Sequence, residues 1–272
     1  MALTEVELAD GTFRRLGNNA PDPGLLMSAP VYGETGKTPL VPRSEWKARC
    51  DALGLGPESR FLPPTHDQNG IGQCNADATT GAMESQRAKQ GLVYVQLSAA
   101  DLYSQINGGR DNGSTLFDGL RAASEVGVGT AATCGTVWKR GNWKGPAPAS
   151  ERARFRVLEA FLCPTFDHCF SAVLMEFDLI SGIYWYDSYT PGEDGWLPRG
   201  RGSSGGHAVH GYKPTYKGDR FGIWHQNSWS PRWGLNGRCV FPEDVYTSGG
   251  IGGWWAVRQV VDEGGVVPAE QG

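Results

Sequence analysis

The sequence predicts an α+β chain, with helices gathered in the first half and strands in the second. Three observations predict it. Residues 74–127 carry Ala-rich and helically spaced stretches punctuated by Gly. From about residue 150 the texture changes to runs of β-branched and aromatic residues, the composition that suits a pleated, half-buried surface. A chain of 272 residues, 39% hydrophobic and 20% charged, can bury a substantial core as one domain or two packed lobes.

In chain order, residues 1–41 give no sustained periodicity and read as an N-terminal extension, an arm laid over the body or disordered when free. Ser44 is the expected N-cap of a short helix through Leu53. The Pro-rich stretch Phe61-Leu-Pro-Pro-Thr-His-Asp leads to a helix that starts at Cys74 and runs to about Gln90, before Gly91. Tyr94–Ser98 is extended, and Ser98 caps a helix through Ile106. Leu116–Val126 has helical spacing that ends at Gly127. Strands are expected over 154–161, 171–178, 182–189, 207–212, 221–229, 237–241 and 254–260. The main domain is therefore placed at 42–261, with a helical lobe at about 42–149, a β-rich lobe at about 150–261, and a flexible tail at 262–272.

Charge and composition exclude several classes of partner. A net charge of −4 without a basic block predicts neither nucleic acid nor an acidic membrane surface. No stretch of about 18 apolar residues predicts a membrane span. The start Met-Ala-Leu-Thr-Glu-Val-Glu has no basic end and no apolar run, so no secretory signal is read there. Six cysteines, at 50, 74, 134, 163, 169 and 239, are too sparse for a disulfide scaffold. Mostly free thiols, and a cytoplasmic or virion-associated protein of bacterial or viral origin, are the expectation.

One group of residues carries recognisable chemistry. Gln68-Asn-Gly-Ile-Gly-Gln-Cys74 puts an amide near a thiol, and His207 and Asn227 supply an imidazole and a second amide that can orient it. These are the parts of covalent acyl transfer. A helix N-terminus lowers a thiol pKa, and an imidazolium beside it stabilises the thiolate further. Strand alternation puts His207 and His210 on opposite faces, so only one of them can face a cleft; His207 is the choice over His210 and His225. Gln73, beside the thiol, is a rival amide to Gln68. Cys163, His168 and Cys169, with Cys134 or Cys239, match no common zinc spacing, so no metal and no cofactor are expected. Arg199-Gly-Arg-Gly-Ser-Ser-Gly-Gly lacks the ending of a phosphate loop and reads as a flexible segment leading to His207.

With these residues in place, the chain resembles the papain family of cysteine peptidases over roughly residues 42–261. The resemblance resides in five segments: Gln68 to Ala76, Leu97-Ser-Ala-Ala-Asp-Leu, Asn112-Gly-Ser followed by Asp118-Gly-Leu, Gly206-His207-Ala-Val-His-Gly-Tyr212, and Asn227-Ser-Trp229-Ser-Pro-Arg-Trp233-Gly. It implies a papain-like two-lobed fold, with a helical N-terminal lobe, a β-barrel-like C-terminal lobe and a cleft between them. It implies Cys74 as nucleophile, His207 as acid and base, Asn227 as its orienting partner and Gln68 as oxyanion donor. Asn112, Gly113, Ser114, Gly206 and Trp229 would line the substrate, with Trp229 also shielding the His207–Asn227 bond.

The sequence departs from the pattern at Asn75, where the family has an aromatic, at Ile71, where it has a half-cystine, and at Ser114, where it has Gly. A long helical propeptide is not seen ahead of residue 42, so the resemblance implies either no latency of the usual kind or an arm that occupies the cleft. The implied function is a cysteine-type peptidase acting on a peptide or protein substrate. The alternative is a papain-like scaffold kept for assembly, for example in a virus particle, with the N-terminal arm docking a partner.

Overall fold

A computed structural model describes residues 4–8, 11–34, 36 and 38–262. The tail expected after 262 lies outside the described residues. The chain opens with a hairpin of β1 (Thr4–Glu7) and β2 (Phe13–Leu16), a two-residue strand β3 (Asn18–Asn19) and one helical turn α1 (Pro23–Met27). Helices follow: α2 (Arg43–Leu53), α3 (Cys74–Lys89) and α4 (Ala99–Ile106). After β4 (Ser114–Thr115) come α5 (Leu116–Glu125), α6 (Ala131–Cys134) and α7 (Ala149–Arg152). The second half carries β5 (Phe155–Leu162), α8 (Phe166–Leu174), β6 (Asp178–Tyr186), β7 (Ser204–Lys217), β8 (Arg220–Gln226), β9 (Arg238–Pro242), α9 (Glu243–Thr247) and β10 (Trp254–Asp262).

Six of these strands form one antiparallel sheet in the order β5-β10-β6-β7-β8-β9, an open sheet rather than a closed barrel. Period-two alternation sends successive side chains to opposite faces. Leu179, Val209, Trp254 and Ala256 enter one buried core, while Ile180, Ala208, Trp255 and Val257 enter the other. The second core is roofed by α3, α4 and α5; the first holds α8, α2 and most of the aromatics. These cores do not divide the chain at a single point. Trp46 and Cys50 of α2 join the core of α8, and Phe155 and Val157 of β5 join the core of α3.

Two local expectations are corrected. The cap of α2 is Pro42, not Ser44, with no side-chain capping bond; Pro fits because its missing N–H leaves nothing unsatisfied at a helix start. Residues 171–174 belong to helix α8 rather than to a strand. Phe166, Cys169, Phe170, Val173 and Leu174 are all buried, a spacing of three and four that puts them on one helical face. That longer period overrides the β-branched flavour of Val173. Elsewhere Ser98 caps α4, accepting from the Asp101 N–H, and Thr115 caps α5 in the same way.

The N-terminal segment is not loose throughout. Tyr32 is fully buried, edge-on to Phe161 and Phe177, and its N–H bonds the Leu162 carbonyl. Edge-to-face rings of this kind add to what area burial alone supplies. By contrast α1 buries no residue.

Candidate active site

Cys74 is the first residue of α3, a helix buried along most of its length. Small residues permit that depth. A Cβ on Gly81 would stand 3.3 Å from the His210 ring, so the helix approaches β7 nearly backbone to side chain. Asn75, where an aromatic was expected, donates to Ser114 Oγ and to the Thr115 carbonyl, and so ties the helix start to β4. Around the Cys74 sulfur, burial raises the thiol pKa to about 12, against the opposing pull of backbone N–H groups from Gly17, Ala208 and Asn75. Burial thus favours the neutral thiol at Cys74.

His207 lies on β7, with Nε2 bonded to Asn227 Oδ1 at 2.8 Å. The same Oδ1 accepts the Ser228 N–H at 2.8 Å, which fixes the orientation of the amide. The Trp229 ring covers the imidazole at 4.8 Å and 31°, and Trp185 meets it edge-on at 5.1 Å. Burial lowers the His207 pKa to about 4, opposed by the Asn227 bond. The neutral ring therefore carries its proton on Nε2 and leaves Nδ1 as a free base, and Nδ1 has no hydrogen-bond partner. No thiol–imidazole hydrogen bond is formed here.

Gln68 and Gln73 are distinguished by their partners. Gln68 Oε1 accepts from Ser228 Oγ at 2.7 Å and Trp229 Nε1 at 3.2 Å, which turns Nε2 toward the cleft. That Nε2 donates to the carbonyls of Ile71 at 2.7 Å and Arg15 at 2.8 Å. Gln73 instead bonds Asp77, the Thr136 carbonyl and the Trp138 N–H, and serves the helical lobe. The two rival histidines are equally committed. His210 Nε2 meets Asp178 at 2.7 Å, and Asp178 also takes Lys89 and Gln86. His225 stacks on Phe241 and bonds Ser181 and Tyr246.

The residues expected to line substrate are brought together around the chain's own N-terminal segment. Residues 15–19 run through the groove beside Cys74. Gly17 accepts from the Ser114 N–H at 2.8 Å, and Asn18 and Asn19 pair in parallel with Ser114 and Thr115. Asn19 Nδ2 donates to the Asn112 carbonyl. Glycine is required at the closest approaches: a Cβ on Gly113 would lie 2.3 Å from the Gly17 carbonyl, and one on Gly206 1.8 Å from that of Asn18. Of the five residues, only Trp229 faces His207 and Gln68 rather than this segment. Ion pairs anchor it from outside, Arg15 to Glu5 and Asp111 and Arg14 to Asp67, while Leu16 and Val6 are buried beneath.

Sequence reasoning offered an arm in the cleft as one of two options but did not single out Arg15, Gly17, Asn18 or Asp111, since a segment without periodicity gives no signal for the register in which it docks. It also missed a buried cluster behind the site. His66 Nδ1 lies 3.3 Å from Asp77 and Nε2 3.6 Å from Glu84. Burial alone would lower the His66 pKa, but Glu84 and Asp77 outweigh it and raise the value to about 10. A polar cavity of about 10 Å³ separates His66 and Asp77 from Asn227.

All six cysteines are buried and unbridged. His168 Nδ1 pairs with Thr165, and among the described residues no His, Cys, Asp or Glu group is arranged to hold a metal. Among those residues, too, no helix is long and apolar enough to cross a membrane.

A helical core on one face of the six-stranded sheet and an aromatic core on the other give the chain the fold seen in papain-like cysteine peptidases. Solved structures of that class superpose along most of the chain. Xylellain, a cysteine protease from Xylella fastidiosa, matches with a TM-score of 0.69 at 18% identity over 95% of this chain and 99% of its own. A procathepsin B from Trypanosoma congolense matches at 0.65 and 16% identity over 90% and 86%. Bromelain from Ananas comosus matches at 0.55 and 19% over 73% and 94%. No protein-family model and no curated protein sequence matches the chain. The shared property is the fold.

Proposed function

We propose that this chain is a cysteine-type peptidase that cleaves peptide bonds through Cys74, His207, Asn227 and Gln68. The observation that carries the reading is an extended peptide, the chain's own residues 15–19, lying across the sulfur with main-chain bonds to Ser114 and to the Gln68 amide. A groove that holds one peptide this way can hold another.

With residues 15–19 displaced and water admitted, the desolvation that keeps both groups neutral relaxes. The Cys74 proton passes to His207 Nδ1, giving a thiolate and an imidazolium stabilised by Asn227. The sulfur attacks the substrate carbonyl carbon, and the oxygen takes the charge. Gln68 Nε2 and the Cys74 N–H donate to that oxygen, an effect worth about 3–4 kcal/mol per donor in measured cases. His207 returns its proton to the leaving nitrogen as the C–N bond breaks, which leaves a thioester. It then removes a proton from water, the hydroxide displaces sulfur, and the acid product departs.

The bound segment escapes this fate by its register. The carbonyl held by Gln68 belongs to Arg15, whereas the group at the sulfur is the N–H of Gly17. Cys74→Ala is the test: hydrolysis of a fluorogenic peptide library and labelling at position 74 by an epoxysuccinyl probe should both vanish, with the fold retained. Undiminished turnover by that variant refutes the proposal.

A further inference from the structure

We infer that the groove contains a shallow, carbonyl-lined pocket that selects a short side chain bearing a hydrogen-bond donor, a carboxamide or a hydroxyl, close to the bond being cut. This rests on the peptidase reading of the groove, and it specifies which peptides that groove takes. The pocket is occupied by Asn18, which is 3% exposed. Its Nδ2 donates to the Ile251 carbonyl at 2.7 Å and to the His207 carbonyl at 3.4 Å.

The floor is made of backbone. Gly249, Gly252 and Gly253 all take left-handed φ values, of 97°, 82° and 81°. This lets the turn fold back until the Ile251 oxygen would lie 2.0 Å from a Cβ on Gly182. Ile251 N–H bonds the Gly182 carbonyl, and Gly182 N–H bonds that of Gly253, so the turn is fixed to β6. Gly206 and Leu116 complete the walls.

The polarity is one-sided. Both acceptors are carbonyls, while Asn18 Oδ1 is buried without a partner, so the pocket offers no donor in return. A carboxylate would bring charge against two carbonyl oxygens. A leucine would leave the Ile251 oxygen desolvated and without the Asn18 bond, and such an orphaned acceptor costs more than the lost bond itself. A larger aromatic would meet the Ile251 oxygen before it filled the space. The glycine-built floor thus favours donors over apolar side chains.

Two measurements on the full-length protein decide the matter. The first is the rate at which iodoacetamide alkylates Cys74 in Asn18→Asp, Asn18→Leu and Asn18→Ser variants, located by mass mapping. The isosteric Asp and the similarly sized Leu should loosen the segment and speed labelling about tenfold or more, with Ser between them and the parent. Labelling of the Leu variant at the parental rate or slower overturns the pocket's polarity. The second is a cleavage profile on a peptide library. Enrichment of Asn, Ser or Thr at one position beside the cut supports the inference; enrichment of Leu, Val or Phe there overturns it. If no peptide is cut, the peptidase reading fails, while the labelling series still judges the pocket.

Discussion

An imidazole with one nitrogen already committed has a single direction left in which to act. His207 gives Nε2 to Asn227, under Trp229, and keeps Nδ1 without a partner. Its neutral state belongs to the filled groove, where burial is complete. A second residue-scale effect comes from His66, buried between Asp77 and Glu84 with a pKa raised from 6.5 to about 10. A cation favoured by the fold adds stability in full below pH 6.5 and loses it as pH climbs through about 10. His66→Gln should therefore cost about 3 kcal/mol at pH 6, as a broken buried pair does, and the deficit should shrink toward pH 10. Urea unfolding at pH 6 and pH 9.5 measures it; a constant deficit contradicts the assignment.

At the scale of elements, the groove segment is the sharpest case. Gly17 sits so close to Gly72 that a Cβ would stand 2.0 Å from its carbonyl oxygen, a backbone contact that cannot yield cheaply. Gly17→Ala should expel residues 15–19 and raise Cys74 alkylation at pH 7 by at least about tenfold, with circular dichroism unchanged. Unaltered labelling would show that the segment does not guard the sulfur. Much of this level was legible in the sequence, and the failures have physical causes. The helix starting at Cys74 and the opposed faces of His207 and His210 follow from local periodicity. Residues 171–174 read as strand because a short apolar run has no unique period until Phe166 and Cys169 are counted with it. Gln68 and Gln73 carry the same amide, and only tertiary partners separate them. The docking of Arg15 to Asn19 depends on contacts with residues far along the chain, which no local pattern encodes.

Across the whole molecule, the N-terminal region has two kinds of attachment. Residues 4–8 and 11–19 hold the groove through ion pairs and main-chain bonds, whereas Tyr32 is a core side chain between Phe161 and Phe177. Tyr32→Ala should lower global stability by about 3–4 kcal/mol, as for other large aromatics removed from cores, while leaving the Cys74 labelling rate of the folded protein nearly unchanged. A thermal melt paired with the alkylation assay separates these effects, and faster labelling without loss of stability would count against the division. The covalent link from Asn19 to Tyr32 has its own bearing on how the groove empties. A blocker joined to the surface it covers meets it at an effective concentration in the millimolar range for a short tether, however few copies of the protein surround it. Diluting the sample would not uncover the thiol, and a competing peptide would have to outbid a neighbour that never diffuses away. Severing the tether turns that permanent neighbour into an ordinary ligand, free to be lost.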